Sequence, residues 1–256
     1  MSKTIRLLLL TGGLALAFTI YIVDAVKTSE TTKKTTGEAV ESEDSRSKHH
    51  FGTLTDARNG KTYKTVKIGS QVWMAENLDY AYSEGTARSY CYDDDPANCD
   101  KYGRLYTWSA AMDSAAVFGD GGKGCGKGVK CTPTYPVRGV CPEGWHLPSN
   151  AEWATLEEFV ANTLFDGKMD SVGYALKSAS GWKNGGTDAV GFGALPAGYR
   201  NSAGTFECVF EPALFWSSTE DGANRAYYRH LHYIDTDLYT YDSSKDNAMS
   251  VRCVKD

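Results

Sequence analysis

Seven cysteines fall between residues 91 and 253, and none precedes them. A chain of 256 residues with that many thiols in one stretch either oxidises them in pairs or binds a soft metal. Cys91 and Cys99 bracket a tight acidic loop, and Cys125 and Cys131 bracket a Gly/Lys loop. Cys141 and Cys253 are left as a long-range pair, with Cys208 odd. Spacing does not fix this connectivity. Bridging Cys141 to Cys253 would close a loop of about a hundred residues, worth about 4–5 kcal/mol through the entropy of the unfolded chain. Zinc is the rival reading, with His49, His50 or His146 as further ligands. The cysteine spacings are not the Cys-x-x-Cys pairs of a zinc ribbon, so disulfides are preferred.

Disulfides need an oxidising compartment, and the N-terminus agrees. Lys3 and Arg6 precede an apolar run from Leu7 to Val23, closed by Asp24. Residues 1–26 read as a signal peptide or an uncleaved signal anchor. The run length favours the anchor, and Val23-Asp24-Ala25 is a poor cleavage site. No cysteine follows the run to accept a lipid. Either way, everything beyond Val23 is expected outside the cytoplasm, membrane-anchored at the cell surface or secreted. Residues 27–52, rich in Thr, Ser, Lys and Glu, read as a flexible tether with a reach of about 25–30 Å. Residues 53–256 read as one folded domain. The net charge of −5 argues against nucleic acid as a partner, because phosphate recognition wants a basic stripe.

Within the domain, Lys61 to Leu78 predicts a hairpin turning at Gly69-Ser70. Leu105, Trp108 and Met112, with four nearby alanines, predict a helix over 102–116. Ser149 and Glu152 form a capping box, and Trp153, Leu156 and Val160 share one apolar face, predicting a helix from Asn150 to about Asn162. Beyond Thr163, short aromatic strands alternate with Gly, Asn and Asp turns. They are expected over 191–195, 197–200, 214–218, 226–233 and 249–254. Alternation in the fourth places Tyr227, Arg229, Leu231 and Tyr233 on one face and Tyr228, His230 and His232 on the other. Two helices followed by an irregular antiparallel sheet is an α+β layout.

Several segments now become recognisable. Asp56-Ala-Arg-Asn-Gly-Lys-Thr-Tyr63, Ile68-Gly-Ser-Gln-Val-Trp-Met-Ala-Glu-Asn-Leu78, Tyr102-Gly-Arg-Leu-Tyr-Thr-Trp108, Cys141-Pro-Glu-Gly-Trp-His-Leu-Pro-Ser149, Phe215-Trp-Ser-Ser-Thr219 and Ser250-Val-Arg-Cys253 together resemble the Fibrobacter succinogenes major paralogous domain. The resemblance covers nearly all of 54–256, in order, and implies exported surface-type proteins without an assigned activity. A more distant likeness, in the order of helices, Gly144-Trp-His-Leu-Pro-Ser149 and a cysteine on the final strand, is to C-type lectin-like domains. It implies a disulfide-stabilised lectin-like fold, and Cys141 and Cys253 match the positions of its long-range bridge. The insert between Met112 and Cys141 departs from a compact lectin.

Lectin calcium sites use Glu-Pro-Asn and Trp-Asn-Asp. Here Glu211-Pro212-Ala213 lacks the Asn, and Trp216 is followed by Ser217-Ser218, so sugar binding through that ion is not expected. Asp93, Asp94 and Asp95 are the other candidate calcium ligands, though a solvated acidic turn relieves the same repulsion; no cofactor is expected. Gly121 to Lys127 imitates a phosphate loop but has Gly128 where Ser or Thr should stand. Formylglycine-generating oxidases resemble the chain around His146–Trp153, yet the late region offers only Cys208 and Cys253. His146 reads as a structural hydrogen-bonding group, and His230 with His232 lacks a third zinc ligand. What remains is an aromatic surplus: Trp182, Tyr199, Arg200, Tyr228, His230, Tyr239 and Tyr241 as ligand-binding residues, with Trp216 in the core. The expectation is a non-enzymatic recognition module that binds polysaccharide or a surface protein through aromatic loops, with a structural surface component as the alternative.

Overall fold

The computed structural model describes residues 49–208 and 210–256. The expected apolar run, and the tether up to residue 48, lie outside the described residues. Among those described, no helix is long and apolar enough to cross a membrane.

The first strands are β1 (His50–Thr55), β2 (Thr62–Ile68), β3 (Gln71–Met74), β4 (Ser83–Glu84) and β5 (Ala87–Tyr90). Helix α1 (Pro96–Tyr102), strand β6 (Leu105–Thr107), helix α2 (Trp108–Ala111) and strand β7 (Trp145–His146) follow. Helices α3 (Asn150–Leu164) and α4 (Val172–Leu176) then lead to β8 (Tyr199–Arg200) and β9 (Phe206–Glu207). The chain closes with β10 (Pro212–Asp221), β11 (Arg225–His232), β12 (Tyr239–Ser244), β13 (Ala248–Ser250) and β14 (Val254–Lys255).

This corrects the α+β, two-helix, lectin-like expectation. The described residues form two β-sheets, one of five strands in the order β1-β2-β3-β14-β7 and one of nine built on β12-β11-β10-β13-β6-β5-β4. Helices are few, and only α3 exceeds seven residues. The first predicted helix is the source of the error. Leu105, Tyr106 and Thr107 are all buried because they form a strand between β5 and β13, where complete burial imitates a helical face. Gly103 breaks the chain before them: its φ is 73°, and a Cβ there would meet Asn77 Cβ at 2.6 Å. After a single turn, Asp113 adopts φ 53° and its carboxylate accepts the N–H groups of Val117, Phe118 and Gly119 at 2.7–2.9 Å. The alanine-rich stretch thus yields four helical residues.

Other local expectations hold. The hairpin forms, with Ile68 paired to Gln71 across Gly69-Ser70. Helix α3 carries both halves of its capping box, and Trp153, Leu156 and Val160 are buried. The strand expected over 249–254 divides, so β13 ends in one sheet and β14 begins in the other. Arg252 occupies the crossing. Its guanidinium is fully buried and donates to Asn77 Oδ1 at 2.7 Å, to Gly193 O at 2.9 Å and to Phe192 O. That capture explains why 191–195 does not join a ladder as expected, making one bridge between Ala194 and Lys177. Three disulfides join Cys91 to Cys99, Cys125 to Cys131 and Cys141 to Cys253, leaving Cys208 free and exposed.

Candidate functional site

Strands β10, β11 and β12 are antiparallel neighbours at one end of the nine-stranded sheet. Their register lines residues up in rows across the sheet. Leu214 faces His230, which faces Tyr239; Trp216 faces Tyr228, which faces Tyr241. Side chains alternate along each strand, so all six lie on one face. Arg229 and Leu231 point the other way and are buried, and the Arg229 guanidinium donates to Asn150 O at 3.1 Å.

The inner part of the rowed face is covered: Trp216 is fully buried and its indole N–H donates to Tyr106 O at 2.7 Å. Toward β12 the face opens. Tyr239 and Tyr241 stack with centroids 5.7 Å apart and planes 23° apart. Tyr228 lies 6.1 Å and His230 5.8 Å from Tyr241, and Tyr241 is 46% exposed. Beside these rings runs a groove of about 290 Å³, with Tyr228, His230 and His232 from β11, Ser243 and Asn247 on the β12 side, and Tyr199 and Cys208 opposite. None of its lining residues is Asp, Glu, Lys or Arg.

The electrostatics keep His230, Tyr228, Tyr199 and Cys208 uncharged near neutral pH. Burial, and then His232, push His230 down to about 4. Burial raises Tyr228, helped by Tyr241 and Asp242. Tyr199 is raised by the hydrogen bond it donates to Glu207 at 2.7 Å, and by burial. Cys208 is raised by burial and by Glu211 and Glu207, so it stays a thiol.

Of the seven expected ligand-binding residues, Tyr199, Tyr228, His230, Tyr239 and Tyr241 meet at this face, the first three on strands as expected and Tyr239 and Tyr241 on β12, a strand the sequence reading does not foresee. Arg200 stands behind it, its guanidinium 4.1 Å over the Tyr90 ring. Trp182 belongs elsewhere. It is 7% exposed in the core under α3, its indole N–H donating to Ala194 O at 2.8 Å. Sequence reasoning left His232 out of the site, although strand alternation placed it with Tyr228 and His230; Ser243 repeats the two-residue step from Tyr241.

The acidic run is arranged differently from a cation cage. Asp93 and Asp94 have φ values of 55° and 56°, and Asp95 caps α1 by accepting from Ala97 N at 3.0 Å. Among the described residues, no group of three or more His, Cys, Asp or Glu side chains is gathered as metal ligands. His146 bridges two carboxylates, Nε2 to Glu152 at 2.5 Å and Nδ1 to Asp256 at 2.6 Å. A larger hollow of about 540 Å³ between the β2–β3 turn and the end of α3 is walled by Ile68, Phe159, Leu164 and Val190. It holds no tyrosine, tryptophan or amide side chain, whereas the smaller groove gathers two tyrosines, two imidazoles and Asn247, so the smaller groove is the candidate site for ring stacking.

A protein-family model described as the Fibrobacter succinogenes major domain matches residues 66–255, well over half of the chain. The chain belongs to this family. The match runs from β2 to β14 and takes in the whole groove. No curated protein and no solved structure gives a significant match. Membership in the Fibrobacter succinogenes major domain family assigns no specific function. The three disulfides are compatible with a place outside the cytoplasm.

Proposed function

We propose that this chain is a non-enzymatic recognition module that works outside the cytoplasm and holds polysaccharide on the open face of β11 and β12. One observation carries the reading: Tyr239 and Tyr241 lie side by side and nearly parallel, Tyr241 exposed and Tyr239 half-buried, beside a groove floored by Tyr228 and His230. Rings so placed offer flat apolar area at low entropic cost, and sugar rings stack on such surfaces. Ser243, Asn247, His230 and His232 supply hydrogen-bonding groups for hydroxyls at the groove's edges. The nearest nucleophile, Cys208, is held as a thiol, which favours binding over covalent chemistry.

The test is affinity electrophoresis of the full chain through gels containing soluble polysaccharides. Tyr241→Ala is expected to weaken retention about tenfold, equivalent to about 1.4 kcal/mol. Its unfolding midpoint should stay near that of the unaltered chain, since the ring is half exposed. Unchanged retention in Tyr241→Ala and in Tyr228→Ala would refute the reading. A structural component that packs against copies of itself would instead use the free edge of β12. That alternative calls for concentration-dependent assembly without any glycan.

A further inference from the structure

We infer that the glycan this groove accepts is electrically neutral, and that the same groove rejects chains bearing carboxylate or sulfate groups; the inference rests on the recognition reading above. The first ground is the lining. Tyr199, Tyr228, His230, His232, Ser243 and Asn247 offer rings, hydroxyls, an amide and imidazoles, but no lysine or arginine. An anionic group entering there loses water and finds no ammonium or guanidinium to replace it.

The second ground is what the nearby cations are doing. Lys177 is 1% exposed, and its ammonium donates to the backbone carbonyls of His232 and Asp235, both at 2.5 Å. Arg225 is paired with Asp242 across β11 and β12. Arg229 lies on the opposite face, bound to Asn150 and Thr240. Lys183 sits over the Tyr233 ring, 4.8 Å from its centroid. Each is occupied by a partner and none lines the groove, although Lys177 and Arg225 lie near enough to act on His230 and Tyr228.

The third ground is the rim, which is acidic. Glu207 accepts from Tyr199 at 2.7 Å, and Asp237 lies close enough to Tyr239 to raise it. Asp242 acts on Tyr228, and Asp235 on His230. Asp242 is paired with Arg225 and Asp235 lies beside Lys177, so Glu207 and Asp237 carry the excess of negative charge, which repels a polyanion over the roughly 8 Å at which charges still interact in physiological salt. A neutral sugar meets the rings and the edge hydroxyls without this penalty. Specificity here would come from repulsion of the wrong chain as much as from attraction of the right one.

The experiment compares matched pairs on the full chain at low salt: hydroxyethyl cellulose against carboxymethyl cellulose, and methyl-esterified pectin against polygalacturonate. We expect a neutral member to be retained and its carboxylated counterpart to bind at least tenfold more weakly, with the gap closing as salt is added. Asp235→Asn/Asp237→Asn should narrow the gap, and Ser243→Lys, which sets a cation at the groove's edge, should narrow or reverse it. Equal or stronger binding of the carboxylated member would overturn the inference while leaving the recognition reading in place. Retention of neither member of any pair, by a chain that is folded by circular dichroism, would overturn both.

Discussion

Removing the Cys141–Cys253 bridge should cost this chain more than removing either of its other two. The three bridges close very different loops: 112 residues apart for Cys141–Cys253, against 8 for Cys91–Cys99 and 6 for Cys125–Cys131. The entropy a cross-link removes from the unfolded chain grows with the logarithm of loop length. It amounts to about 4.7 kcal/mol for the long loop and about 2–2.5 kcal/mol for each short one. Cys141 and Cys253 are also completely buried, so substitution by Ala adds a small void. Cys253 lies just after the crossing between the two sheets, and its carbonyl accepts from Met74 N at 3.0 Å. Cys141→Ala/Cys253→Ala is therefore expected to lower the unfolding temperature by about 10–20 °C in a domain of this size. Cys91→Ala/Cys99→Ala should shift it by about half as much. Calorimetry and urea titration under non-reducing conditions make the comparison. Equal losses from the long and the short bridge would refute loop-length entropy as the source of the stability.

Two further outcomes follow from buried polar groups. Arg252 is buried among Phe192, Phe215 and carbonyl groups, and burial pushes its guanidinium down to about 9. Arg252→Leu leaves Asn77 Oδ1 and two carbonyls without their donor, so urea unfolding should show a loss of about 3–5 kcal/mol. The histidines set opposite pH limits. His230 is depressed, so its contribution is complete above pH 6.5 and is lost as pH falls toward 4. Burial pulls His146 down, but its hydrogen bonds to Glu152 and Asp256 outweigh burial and hold it above its ordinary value. Its contribution is complete below about pH 6.5 and is lost as pH rises through that raised value. Unfolding midpoints measured against pH should flatten on the acid side in His230→Gln and on the alkaline side in His146→Gln.

What could be read from the residues follows the range of the interactions that decide them. The hairpin over β2 and β3 and the cap of α3 depend on neighbours within a few positions, and both are legible. Leu105–Thr107 was misread because its strand partners, β5 and β13, include one about 140 residues away, and spacing along the chain carries no trace of that pairing. Likewise 191–195 looks like a strand until Arg252, some sixty residues on, takes its carbonyls. At the groove, period-two alternation placed Tyr228 and His230 together correctly. Trp182 could not be sorted from them, because an indole anchored by one backbone carbonyl and an indole facing solvent have the same local sequence.

The most direct test of the account is a chemical-shift titration of isotope-labelled protein with a neutral oligosaccharide taken from the polysaccharide it retains. Perturbations should concentrate on Tyr228, His230, Tyr239, Tyr241 and their strand neighbours. Perturbations centred on the apolar hollow of Ile68, Phe159 and Leu164, with β11 and β12 silent, would contradict it.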